Sequence, residues 1–143
     1  QVAPFDPFLP FVFMGEEIML TTRFYTNGFD VYSPRVNFFA HQYRPGRLGL
    51  PKFWESQDRA FGSGGSNTRF MLMIVDRVKH MVGYESPVKN PDVLQHASDR
   101  DGPNYGLGSH RSLQEFLQFA GLDMVAMTAR SPGWCARNDY PPN

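Results

Sequence analysis

Residues 13–44 read F-M-G-E-E-I-M-L-T-T-R-F-Y-T-N-G-F-D-V-Y-S-P-R-V-N-F-F-A-H-Q-Y-R, and the fold turns on how this stretch divides into elements. Before it, an apolar run is broken by Pro7 and Pro10. That predicts a loop entering a short buried strand that ends at Gly15. Over residues 16–27 the pattern becomes helical. Glu16 and Glu17 fall in the first turn, where the helix dipole favours carboxylates, and Gly28 follows the last turn as a cap. A short strand is expected at residues 29–32, running into the Ser33-Pro34 break. A second is expected at residues 36–40, V-N-F-F-A, whose β-branched and aromatic side chains suit a pleated surface.

Outward from this stretch, residues 44–66 look irregular, with a short helix near Trp54 and a G-S-G-G-S turn. Residues 67–82 form an amphipathic helix by periodicity. Phe70, Ile74, Val78 and Val82 recur every fourth position, and Met71 and Val75 widen the stripe. Residues 84–108 are polar and rich in Pro and Gly. A last helix is marked by Ser112 and Glu115 as a capping box, by Leu113, Phe116, Leu117 and Ala120 on one face, and by Gly121 as its stop. Short strands mixed with helices imply an α/β or α+β class, of which α/β is taken. The strands are too few to close a parallel sheet, so the sheet is expected to be completed by further sequence.

Length and composition bound the possibilities. At 143 residues the chain has the size of one domain, and 41% apolar with 20% charged residues is ordinary for a folded core. Lys+Arg and Asp+Glu are 14 each, which argues against a nucleic-acid partner. The nearest basic patch, Arg44, Arg47 and Lys52, is too small for a duplex but adequate for one diphosphate. No run approaches the roughly 18 apolar residues of a membrane span, and no signal peptide is visible. The single cysteine, Cys135, excludes an internal disulfide and fits a reducing compartment. The chain begins at Gln1 rather than Met, compatible with a piece excised from something longer.

Several residues invite chemistry. Glu16 and Glu17 follow a glycine that permits close backbone approach. Adjacent acids on a helix point in different directions, so one can face a site while the other caps the helix or stays solvated. Dipole placement alone also accounts for both. His41 ends an apolar strand; one imidazole supplies at most one metal ligand, and on the residue alone a structural role is the commoner reading. Arg44 begins a Pro/Gly loop, where a guanidinium fork can clamp a phosphate or simply lie exposed. Trp54 and Trp134 could stack on sugar rings, although burial is the commoner fate of such rings. His110 beside Y-G-L-G is a candidate acceptor contact, and His80 lies one helical turn from Asp76 as an exposed ion pair. Cys135 has neither a neighbouring histidine nor an elbow motif.

The ordered set of G-E-E at residues 15–17, R-x-x-T-x-G at 23–28, D-x-Y-S-P at 30–34 and H-x-Y-R at 41–44 resembles a known family. It is the glycosyltransferase (GlcNAc) family typified by hydroxyproline N-acetylglucosaminyltransferase. P-K-F-W at 51–54 and Y-G-L-G-S-H-R-S-L-Q-E-F at 105–116 resemble it too. More distantly, the region is similar to the polypeptide N-acetylgalactosaminyltransferases, with their W-G-G-E-N helix and V-G-H strand. The resemblance covers residues 4–123, with 124–143 as a tail.

It implies that residues 1–143 are a single domain, the C-terminal portion of a GT-A-type fold that takes a UDP-sugar donor and a protein acceptor. By the same resemblance, Gly15, Glu16 and Glu17 line the donor-sugar and acceptor cleft, with a glutamate binding sugar hydroxyls or orienting the acceptor. His41 becomes the late ligand of a divalent metal, Mn2+ or Mg2+. Arg44 meets the diphosphate, Tyr43 and Trp54 lie on the substrate side, and Arg23 and Asp30 support. The implied activity is metal-dependent transfer of N-acetylglucosamine to a hydroxyproline-type hydroxyl, in the cytoplasm, or in the Golgi lumen given an upstream anchor.

One departure counts against activity by this chain alone. The family's D-x-D metal motif belongs to an upstream half, and the only similar text here, Asp99-Arg100-Asp101, lies in a polar loop. A non-catalytic protein- or glycan-binding module derived from such an enzyme is the alternative. A metal hydrolase or oxygenase finds no H-x-D or H-E-x-x-H spacing in support.

Overall fold

A computed structural model describes residues 3–32, 34, 36–40, 53–62, 69–84 and 105–130. Four helices and one small sheet follow in chain order: α1 (Glu16–Thr26), α2 (Phe53–Phe61), α3 (Arg69–Met81), α4 (Leu113–Ala120), β1 (Leu122–Asp123) and β2 (Thr128–Ala129). The core is built from Met19 of α1, from Met71, Ile74, Val78 and Met81 of α3, from Val82, and from Leu9 of the segment before α1. Burying such side chains contributes roughly 1.5–3 kcal/mol apiece, so this cluster, centred on α3, is a main source of cohesion.

The helix ends explain the helix lengths. Gly28 adopts φ 91° after α1, with its N–H donating to Tyr25 O at 2.9 Å and the Phe29 N–H donating to Phe24 O at 3.0 Å. That crossed pair satisfies carbonyls the last turn would leave orphaned, and it needs a left-handed residue at the glycine. α3 ends the same way, with Gly83 at φ 81° and the Tyr84 N–H donating to Lys79 O at 2.9 Å. α4 carries the expected capping box, in which the Glu115 N–H donates to Ser112 Oγ at 3.1 Å and the Ser112 N–H donates to Glu115 Oε2 at 2.6 Å. The start expected for α3 at residues 67 and 68 lies outside the described residues; from Arg69 onward the helix runs as its periodicity predicts.

The strands fall elsewhere than expected. Before Gly15 there is no buried strand. The Leu9 N–H donates to Asp6 O at 3.1 Å, the Val12 N–H donates to Leu9 O at 3.3 Å, and the chain advances in tight turns. Pro7 and Pro10 lack the N–H a ladder needs, and Asp6 accepts from the Phe8 N–H at 2.9 Å, a local turn that competes with extension. Residues 29–32 and 36–40 are not strands either. Val36, Phe38 and Phe39 are 60%, 70% and 94% exposed. A strand is defined by its neighbour, and no neighbour lies beside them among the described residues. The sheet that does form is an antiparallel hairpin pairing Leu122 with Ala129 and Asp123 with Thr128, mostly inside the expected tail. Asp123 Oδ1 closes its turn by accepting from the N–H groups of Val125 at 3.0 Å and Ala126 at 2.8 Å. The class is therefore a small α/β arrangement, helix-dominated. No helix among the described residues is long and apolar enough to cross a membrane.

Candidate functional site

Gly15 begins the site. Its φ is 91°, and a Cβ there would sit 2.7 Å from Val78 Cγ1. Any other residue would be strained and would push α1 off α3, so the glycine lets the start of α1 press directly onto the core helix. The two carboxylates that follow diverge. Glu16 is half-buried and lines a narrow crevice with Phe5, Asp6, Leu9, Val12, Met19, Leu20 and Arg23, whereas Glu17 is exposed. The crevice has room for about one water. It is a wall for Glu16 rather than a sugar pocket.

Beneath Glu16 lies a group of buried charges. Arg23, 2% exposed, donates from Nη1 to Pro4 O at 2.6 Å and from Nε to Gly106 O at 3.1 Å. Burial pushes its pKa down, neighbouring Asp6 pushes it up, and Arg77 again lowers it. A guanidinium nevertheless stays charged at any ordinary pH. Asp6 Oδ2 and Arg77 Nε pair at 2.8 Å with side-chain exposures of 2% and 1%, and the Arg77 guanidinium lies 5.1 Å from the centroid of Phe8. Asp6 and Arg77 were not expected as organisers of the site. Their signal was present in the sequence: a single acid inside F-D-P-F-L-P-F, and a single base at a position of the α3 stripe, three residues after Ile74.

The far end of α1 docks residues 105–111. Thr26 O accepts from the N–H groups of His110 at 3.0 Å and Arg111 at 3.2 Å, and Thr26 Oγ accepts from the Gly108 N–H at 2.9 Å. A Cβ on Gly108 would lie 2.5 Å from the Thr26 carbonyl carbon and oxygen, so only glycine allows this approach. The R-x-x-T and Y-G-L-G-S-H-R motifs are thus two faces of one contact. Asp30 belongs to it as well, pairing with Arg111 Nη1 at 2.6 Å, while the Arg111 guanidinium lies 4.6 Å from the Tyr25 ring centroid. The hydrogen bond to Asp30 is the chief reason the Arg111 pKa is raised.

Gly15, Glu16 and Glu17 therefore stand together at the head of α1, over Arg23, Asp6 and Arg77. His41, Tyr43, Arg44, Asp99 and Asp101 lie outside the described residues, as does the side chain of Trp54, whose backbone belongs to α2. His110 sits by Gly28 at the opposite end of α1, about 16 Å of helix from Glu16. Asp76 and His80 are not among the ion pairs of the described residues. Among those residues no three His, Cys, Asp or Glu side chains converge, so they do not by themselves form a divalent-metal centre.

An acidic turn fixed against a helical core, backed by a docked Y-G-L-G segment, is the geometry for which comparisons with known proteins supply the class. Residues 1–126 match the family described as glycosyltransferase (GlcNAc), and the chain belongs to that family. Its general role is accordingly that of a glycosyltransferase domain, and membership implies a sugar donor and an acceptor. No curated protein and no solved structure matches the chain.

Proposed function

We propose that this chain forms the acceptor-side part of a GT-A-type enzyme that transfers N-acetylglucosamine from UDP-GlcNAc to a protein hydroxyl, with hydroxyproline as the acceptor type. The observation that carries the proposal is the family match over residues 1–126. The geometry at Gly15 supports it: the turn sets two carboxylates at the head of a helix, one half-buried beside the crevice and one exposed. Glu16, held on one side by the crevice wall, accepts hydrogen bonds from sugar or acceptor hydroxyls and so orients the attacking oxygen. Orientation of this kind removes entropy from the transition state before reaction and is worth several kcal/mol in favourable cases. Glu17 offers a second acceptor on the open side, and Tyr43 and Trp54 complete the substrate wall in this reading.

Metal dependence belongs to the same proposal, with His41 as this chain's ligand and Arg44 meeting the diphosphate. A bound Mn2+ or Mg2+ would neutralise charge on the leaving UDP. Its remaining ligands are not among the described residues, and an acidic motif from an upstream half is the proposed source.

The test is transfer from UDP-GlcNAc to hydroxyproline peptides by the intact protein, with and without Mn2+. Transfer that requires the metal and falls sharply in H41A supports the proposal. Equal activity of H41A across a Mn2+ titration removes His41 from the role. Glycan or peptide binding without any transfer points to the binding-module alternative.

A further inference from the structure

Residues 4–12 contain no regular secondary structure, yet they are held to the body at three points. Pro4 O takes the Arg23 Nη1 hydrogen bond at 2.6 Å, Asp6 is paired with Arg77 at 2.8 Å, and Leu9 is 3% exposed in the core. Arg23 also reaches Gly106 O at 3.1 Å, so one guanidinium joins α1, the N-terminal segment and the 105–108 segment. Two buried cations are a poor device for stability alone, because apolar side chains of similar volume commonly do as well or better. What they supply is geometry. A planar fork with fixed donor directions sets the distance between backbones in a way apolar packing does not.

The held segment is the wall of Glu16. Phe5, Asp6, Leu9 and Val12 face the same crevice as Glu16, and the chain passes from them straight into the Gly15 turn. We infer that Arg23 and the Asp6–Arg77 pair are positioning residues for the Glu16 carboxylate, fixing residues 4–12 as the surface that sets its direction in the transfer site. None of the three touches substrate; each acts through Glu16. The inference rests on the glycosyl-transfer role proposed above.

The decisive variant is R23K, which keeps a charge but replaces the fork with one ammonium. In the intact enzyme kcat is expected to fall about 10–100-fold, the scale of a misplacement of about 1 Å, while the donor KM changes less than about 3-fold. Amide hydrogen exchange at residues 19–22, the first hydrogen-bonded amides of α1, is expected to quicken by about tenfold while the amides of α4 keep their rates. An unchanged kcat per folded molecule overturns the inference. So does exchange that quickens equally in α1, α3 and α4, which is the mark of a general stabiliser. Should the wild-type protein transfer no sugar, the proposed function falls and the exchange pattern alone decides: local quickening supports the clamp, and uniform or absent change removes it. If R23K does not fold, D6N, which keeps the shape of Asp6 but weakens its hold on Arg77, is read by the same two measurements with the same outcomes.

Discussion

At Arg77 two opposing terms meet: the desolvation of a cation that is 1% exposed, and its attraction to Asp6 at 2.8 Å. With one partner removed the other is left charged and buried. Arg77→Ala is therefore expected to cost about 3–5 kcal/mol, a large share of the roughly 5–15 kcal/mol that holds a domain of this size together. Urea unfolding of Arg77→Ala, Asp6→Ala and the double variant checks it. The double variant should lose clearly less than the two single losses added together, and additive losses would show that the two residues do not act as a pair. At this scale the sequence was partly legible. The glycine before Glu16 and the divergence of the two acids could be read directly, because both depend on neighbours within one turn. The pairing of the charges beneath them could not, because Asp6 and Arg77 are 71 residues apart and nothing local joins them.

Among elements, legibility follows locality again. α1, α3 and α4 appear where periodicity and caps place them, since a helix satisfies its own backbone and carries its stop signals within its own sequence. α4 is the clearest case. The Ser112 backbone and hydroxyl groups hold the Glu115 carboxyl below the usual carboxylate range. A lowered carboxylate pKa contributes stability that is present above the ordinary carboxylate pKa and is lost as pH falls through the lowered one. Ser112→Ala is accordingly expected to lower Tm by a few degrees at neutral pH, and that difference should shrink on acidification. Thermal scans of both proteins from neutral to acid pH measure it, and a difference independent of pH would count against the capping box as its cause. The strands were misplaced because a strand's identity lies in its partner. Residues 36–40 have the composition of a strand but no partner among the described residues, while the hairpin at residues 122–129 has little β-forming composition and is set by the turn that Asp123 closes.

For the whole molecule, the distribution of apolar surface separates what holds this chain together from what faces outward. Phe39 is 94% exposed, so Phe39→Ser should leave the unfolding free energy within about 0.5 kcal/mol of wild type. A larger loss in urea titration would mean that this ring is packed in solution. Long-range contacts tie α1 and the segment after it to residues 106–111: Arg23 to Gly106, Thr26 to Gly108 and Asp30 to Arg111. This has a consequence for biosynthesis. α1 is made first, but Gly106 and Gly108, backbone partners of its buried Arg23 and Thr26, are encoded 83 and 82 residues later. At about 5–20 residues per second, a nascent chain carries an unfinished α1 for on the order of ten seconds before the docking segment can reach it. During that interval Arg23 and Thr26 lack these later partners and the α1 face meant for residues 105–111 is open. Folding of α1 thus waits on the synthesis of residues 105–111, and a ribosome stalled before residue 111 should leave the α1 region sensitive to protease.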